Sequence, residues 1–168
     1  MKRLLFTIIA IVSIATCYSQ EYKYKAMYIY NFTKQIEWPA ADRTGEFVIY
    51  VVNQNELFNQ LSAIVAGKKV GTQDIVVKKV KTIDEVTKCH IVFLASSVSG
   101  NANMEAITAK LNGTSSLILT ERPGTLKNGS CINFLIRDEK LKFEMNSSAL
   151  SQKKLQVSSG LLSMAVAN

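Results

Sequence analysis

Apolar positions recur along this chain on two periods, and the switches between them mark out most of its elements. Tyr22, Ala26, Ile29, Phe32, Thr33 and Ile36 fall on one broad stripe of a 3.6-residue period. That spacing predicts an amphipathic helix with its apolar face toward a core. The Trp38-Pro39 step ends it, because the residue before a proline is pushed out of the α region. Tyr24, Tyr28 and Tyr30 lie off the stripe, where a solvated helix would carry Glu and Lys. Two explanations stand. Either the domain covers this helix on more than one side, or the helix presents aromatics to a partner, since Tyr and Trp are enriched where one end of a side chain is dry and the other wet. Tyr28, Tyr30 and Trp38 are the candidate partner-binding residues.

The pattern then changes to short continuous apolar runs. Phe47-Val48-Ile49-Tyr50-Val51-Val52, Ile75 to Val80, Cys89 to Ala95 and Ser116 to Thr120 each read as strands, the first and third apolar enough to be buried on both faces. Helical spacing separates them. Leu57, Phe58, Leu61, Ile64 and Val65 follow an Asn53-Gln54-Asn55 cap and stop at Gly67; Met104, Ile107, Thr108 and Leu111 stop at Gly113. Thr82-Ile83-Asp84-Glu85 opens a shorter helix on a capping box. Alternating strands and helices predict a largely parallel sheet with helices on both faces. Cys131 to Arg137 and Lys140 to Asn146 break that order, because Asp138-Glu139 between them is short enough only for antiparallel neighbours. In the second of these, Leu141, Phe143 and Met145 alternate with Lys140, Lys142 and Glu144, the pattern of a strand toward a sheet edge. Asn146-Ser147-Ser148 caps a closing helical segment whose apolar positions are interrupted at Ser158-Ser159-Gly160. The expected fold is α/β: one single-domain, three-layer sandwich, its mainly parallel sheet finished by an antiparallel C-terminal hairpin.

The first nineteen residues stand apart. Lys2 and Arg3 precede an apolar run from Leu4 to Thr16, then small and polar residues. This is the form of a secretory signal peptide, residues 1–19, with cleavage after Ser19. Ile14-Ala15-Thr16-Cys17 also resembles a lipoprotein signal, with Thr an unusual residue before Cys17. Either way the expected location is periplasmic, and residues 20–168 have the length of one domain. Loss of Lys2 and Arg3 lowers the formal charge from +7 to +5. The remaining lysines are scattered and do not interleave with aromatics, so the charge reads as solubility and not as nucleic-acid binding.

Cys89 and Cys131 remain in what would be an oxidising compartment, each at the start of a strand-like run. A disulfide between them and two buried thiols are both open readings. Candidate chemistry is sparse. His90 is the single histidine and sits in an apolar strand. The cysteines lack zinc spacing, no Gly-x-Ser-x-Gly elbow occurs, and the first strand runs into Asn53-Gln54-Asn55 instead of a phosphate-binding glycine loop. No cofactor and no metal are expected, and a Ser/His90 hydrolase is the weakest reading. A binding role follows by elimination. For a small molecule, the site expected of a doubly wound sheet is the rim beyond the strands' carboxyl ends, here Asn53, Gln54, Ser96, Ser97 and Glu121.

Several motifs appear in a fixed order: Ala26 to Lys34 with Trp38-Pro39, Gly67-Lys68-Lys69-Val70, Cys89-His90-Ile91-Val92-Phe93, Pro123-Gly124, Ile132-Asn133-Phe134, Phe143-Glu144-Met145-Asn146 and Val157 to Leu162. Together they resemble the YfiR/HmsC-like periplasmic regulators over nearly all of residues 20–168. The resemblance implies a non-enzymatic α/β protein that inhibits a membrane-bound diguanylate cyclase through its periplasmic sensor part, restraining exopolysaccharide and biofilm output. It also implies homodimers and disulfide-dependent stability, and related domains beside histidine kinases make a kinase the alternative membrane partner. No partner-contact residue transfers from the resemblance.

Overall fold

The computed structural model describes residues 20–166. The expected signal peptide and Cys17 lie outside the described residues.

The first element, α1, occupies residues 20–35. Its inner face is the stripe read from the sequence: Ala26, Ile29 and Phe32 have no exposed surface and Thr33 is buried. The helix stops before the Trp38-Pro39 step. Ile36–Glu37 forms a short strand, β1, whose residues pair antiparallel with a distant segment, Ile36 with Val157 and Glu37 with Gln156. Long-range pairing therefore removes Ile36 from the helix, ahead of the restriction that Pro39 imposes.

The main sheet is built next. β2 (Phe47–Val52) leads into α2 (Asn55–Val65), capped by the Gln54 side chain accepting from Glu56 N, and α2 leads through a turn into β3 (Lys69–Val70) and β4 (Gln73–Val80). β5 (Ile91–Leu94), α3 (Asn101–Lys110) and β6 (Leu117–Thr120) follow, then β7 (Ile132–Arg137) and β8 (Lys140–Met145). The strand order is β3-β4-β2-β5-β6-β7-β8. From β4 to β7 every pair is parallel, and an antiparallel strand finishes each side. Successive strand residues point to opposite faces, and all four residues of β5 and all four of β6 are buried without exposed surface. The sheet is thus covered on both faces, the three layers expected.

Two short connections were not legible in advance. Residues 67–72 include β3, because Lys69 and Val70 pair back onto Asp74 and Gln73. Ser158-Ser159-Gly160 does not interrupt a helix but begins one. After α4 (Ser147–Gln152) and β9 (Gln156–Val157), the Ser158 hydroxyl accepts from Leu161 N at 3.1 Å and caps α5, Ser159–Met164. The predicted capping box at Thr82 and Glu85 is present but holds only a 3₁₀ turn, Ile83–Glu85.

The link from β6 to β7 is sealed by buried polar groups. Thr120 Oγ1 donates to Asn133 Oδ1 at 2.8 Å and lies 2.6 Å from Thr125 Oγ1 and 2.9 Å from Ser130 Oγ, while Asn133 Nδ2 donates to Glu144 Oε1 at 2.9 Å. Gly129 closes this loop in the left-handed region, φ 93°, where a Cβ would come within 2.8 Å of Thr108 Oγ1. The β7–β8 hairpin turns on Asp138 and Glu139, both left-handed at φ 52° and 57°, the geometry of a two-residue hairpin turn. β8 is the sheet's outer strand, as its alternation implies, and Val166 N donates to its Phe143 carbonyl at 2.9 Å.

Candidate functional site

The three aromatics singled out from the sequence do not share one surface. Tyr28 is half-buried in an aromatic layer under α1, with ring centroids 5.4 Å from Phe143, 6.1 Å from Phe134 and 6.2 Å from Phe32. Trp38 is buried edge-on against Phe47 at 4.9 Å. Among the described residues its Nε1–H has no acceptor, which is uncommon for a buried donor. Tyr30 lies half-buried between two cations: Lys34 Nζ and Lys68 Nζ each sit 4.2 Å from its ring centroid.

Two surface depressions relate to these residues. An open groove of about 1050 Å³ runs between the β1–β9 pair and the β3–β4 hairpin; Trp38, Phe47 and Val157 line it, with Lys34 and Arg43 among its polar lining. A smaller depression of about 630 Å³ lies between the start of α1 and the β7–β8 hairpin, lined by Tyr24, Tyr28, Ile136 and Leu141. Around it Tyr24, Met27 and Ile136 are 46, 45 and 56% exposed. Met27 and Ile136 were not singled out from the sequence. Their signal was present in part, since Met27 lies off the apolar stripe beside Tyr24 and Tyr28.

The rim proposed for a small ligand is assembled, but its groups are engaged with one another. Asn53 Nδ2 donates to Ser97 Oγ at 3.0 Å, Gln54 Nε2 donates to Tyr22 Oη at 2.6 Å, and Ser96 N donates to Glu121 Oε1 at 3.0 Å. The other Glu121 oxygen accepts from Lys25 Nζ at 2.7 Å, and Lys25 also pairs with Glu21. Lys25 and Glu121 are both buried there, their side chains 5 and 9% exposed. This cluster ties α1 to the sheet, and the cleft beside it holds only about 220 Å³, below the usual range of small-molecule pockets.

His90 is a packing residue. Its Nδ1 accepts from Val48 N at 3.1 Å, which leaves Nε2 to carry the proton and donate to the Asp42 carbonyl at 2.7 Å. The ring stacks on Phe47 at 4.3 Å. Both nitrogens are therefore committed to backbone. Nearby, the hydrogen bond from Lys88 holds the Asp42 carboxyl below the usual carboxylate range.

Of the two open readings for Cys89 and Cys131, the bridge is not formed; both stand as buried free thiols. The topology gives the reason. Cys89 leads into β5 and Cys131 into β7, with β6 between them. Two strand spacings amount to about 9–10 Å, beyond the roughly 7 Å Cα separation that a disulfide spans. Burial pushes the Cys89 thiol up to about 12 and the Cys131 thiol upward as well. Beside them, burial lowers Lys153. Among the described residues no group of His, Cys, Asp or Glu is placed to hold a metal ion, and no helix is long and apolar enough to cross a membrane.

A family model described as YfiR/HmsC-like matches residues 22–166. No curated protein matches the chain. The family carries a periplasmic regulatory role in the c-di-GMP pathway, acting with a membrane signalling protein. With a match spanning all of the described sheet and its helices, this chain belongs to the YfiR/HmsC-like family.

Proposed function

We propose that this protein binds the extracytoplasmic domain of a membrane signalling protein of the diguanylate cyclase type and restrains it. The observation that carries this reading is the apolar patch at the start of α1, where Tyr24, Met27 and Ile136 are each about half exposed above half-buried Tyr28 and Leu141. Large side chains grouped in this way, with aromatic and Met residues among them, favour a protein interface. Tyr28 fits a supporting place under that interface, held rigid by Phe134 and Phe143. Restraint requires the protein to bind the inactive state of the partner more tightly than the active one. A shift from 1:99 to 99:1 takes about 5.5 kcal/mol of differential binding, within reach of a few buried aromatic and aliphatic anchors.

The test is capture from detergent-solubilised membranes with tagged mature protein, read by mass spectrometry. Recovery of one signalling membrane protein, lost when Tyr24→Ala and Ile136→Ser are combined, supports the reading; a cyclase domain in that protein separates it from a histidine kinase. Capture of no membrane protein sinks it. Light scattering on the same preparation tests the homodimer implied by the family resemblance.

A further inference from the structure

The chain contains the pair Asn-Gly twice, at Asn112-Gly113 and at Asn128-Gly129. Asn112 and Asn128 line one open depression of about 550 Å³ beside α3, together with Asn101, Glu105 and Thr108. Both asparagines are exposed to water there, and neither belongs to the patch proposed above. Asn-Gly is a pair whose own atoms react with each other. The backbone nitrogen that follows the asparagine closes on the side-chain carbonyl carbon, and a glycine at that position brings no Cβ to obstruct the ring.

The fold leaves one pair loose and ties the other down. Asn112 lies in the turn after α3, and among the described residues its side chain makes no hydrogen bond. The Gly113 N–H likewise has no acceptor among them. Gly113 is left-handed at φ 71°, with nothing within 4 Å of where a Cβ would stand. Asn128 is the reverse. Its Nδ2 donates to Asn101 Oδ1 at 3.0 Å, its carbonyl accepts from Thr108 Oγ1 at 3.4 Å, and Gly129 N donates to the Leu126 carbonyl at 3.4 Å. Side chain and following nitrogen must both be released before they meet, which takes a local opening.

We propose that Asn112 is a site of spontaneous deamidation in the folded protein, with Asn128 protected, and that the isoaspartyl product loosens the clasp between α3 and the sheet. Hydroxide takes the Gly113 N–H proton, the nitrogen bonds to Asn112 Cγ, and ammonia leaves with a proton from water. The product is a cyclic imide. Water then adds to one of its two carbonyl carbons and the C–N bond there breaks. Opening at Cγ gives aspartate; opening at the main-chain carbonyl gives isoaspartate, whose chain runs through Cβ and is one carbon longer. No oxidant or reductant is needed. The clasp lies on either side of this residue. The Leu111 carbonyl accepts from Thr114 N at 3.2 Å, Thr114 Oγ1 at 2.8 Å and Lys153 Nζ at 3.2 Å. Thr114 Oγ1 lies 2.9 Å from Ser116 Oγ, which donates to the Cys89 carbonyl at 2.6 Å. A longer chain at position 112 carries Thr114 away from Leu111 and opens this set of bonds.

The experiment ages the mature protein in warm, mildly alkaline buffer and maps its tryptic peptides by mass spectrometry. Cleavage after Lys110 and after Lys127 places the two Asn-Gly pairs on separate peptides. The expected result is the mass gain of amide turned to acid on the Asn112 peptide, at least about tenfold faster than on the Asn128 peptide, whose hydrogen bonds must break first. In urea the two rates converge. Labelling by an isoaspartate-specific carboxyl methyltransferase identifies the lengthened product. Asn112→Gln removes the gain, because its longer side chain closes a ring far more slowly. The isoaspartyl fraction is expected to melt below the fresh protein, whereas Asn112→Asp, which adds the charge without the extra carbon, melts with the wild type. Equal rates at the two sites in the folded protein, or a faster Asn128, overturn the assignment of the site. An isoaspartyl fraction that melts like fresh protein overturns the loosening, and so does an Asn112→Asp variant that melts as low as that fraction.

Discussion

The two faces of α1 carry the same kinds of residue and meet opposite fates. On the inner face Phe32 is wholly buried, its ring 5.3 Å from Phe143 and 6.0 Å from Phe134. On the outer face Tyr24 is 46% exposed beside Met27, and Tyr30 is half-buried with two lysine ammoniums over its ring. Aromatic content therefore does not separate core from interface along this helix. Register does: residues on the Ala26–Ile29–Phe32 stripe are fixed by the sheet beneath, and those off it are available to something else. Tyr28 shows the boundary, since it lies off the stripe yet tips into the aromatic layer at 5.4 Å from Phe143.

The sharpest way to break that comparison is to truncate one aromatic from each face. Phe32→Ala is expected to lower the unfolding free energy by about 3–5 kcal/mol through lost burial and a residual cavity, measured by urea denaturation. Tyr24→Ala is expected to stay within about 0.5 kcal/mol while weakening membrane capture. Equal destabilisation by both would show that the outer face is also core.

A somewhat smaller effect is expected where α1 is pinned to the sheet by charge. Glu121→Ala strips Lys25 of a partner at 2.7 Å and Ser96 N of its acceptor. Breaking a buried pair costs about 3–5 kcal/mol; because Glu21 still holds Lys25, the expectation is the low end, about 3 kcal/mol, by the same urea measurement. If the loss stays below that of a surface substitution, the cluster is solvated and the rim is open to ligand after all.

A graded effect, set by pH, concerns the buried thiols. Cys89 ionises near 9.0 when unfolded and is pushed up to about 12 in the fold. The native state then keeps a proton that the unfolded state loses, so the thiol's contribution is intact below pH 9 and falls as pH rises from 9 toward 12. The slope is at most about 1.4 kcal/mol per pH unit for each such thiol. Lys153, lowered by burial, pulls the other way by favouring the fold as pH rises toward its ordinary value of 10.5. Melting temperatures across this range, compared with Cys89→Ala, are expected to fall more steeply in the wild type. Identical curves would place the thiol in contact with water.

Much of the sheet was legible because its strands are short, apolar and separated by helical spacing; β2, β5, β6 and the β7–β8 hairpin all emerge near their expected positions. What was not legible depends on distant partners. Ile36 reads as helix by period and becomes strand by pairing with Val157. Ser158 reads as an interruption and becomes a cap. The cysteines share a strand-start position but not adjacent strands, since β6 lies between β5 and β7 in the sheet as it does in sequence. Among the rim residues Asn53 meets Ser97 and Ser96 meets Glu121, yet nothing in their types foretold that Lys25 would be buried among them and occupy Glu121. Lys34 and Lys68 were read as scattered charge and as members of separate motifs, because their convergence on Tyr30 joins α1 to a turn more than thirty residues away.

The outer strand β8 has a consequence for the life of the chain before it reaches its partner. Unpaired strand edges invite other chains to add on and aggregate. Here the Phe143 carbonyl is already taken by Val166, and Lys140 and Lys142 line the same strand. Val166 thus acts as a stopper on the sheet, one that can close only after the strand has been laid down. A molecule still folding is therefore most prone to misassembly in the interval before that contact forms, the stage at which a chaperone has most to protect.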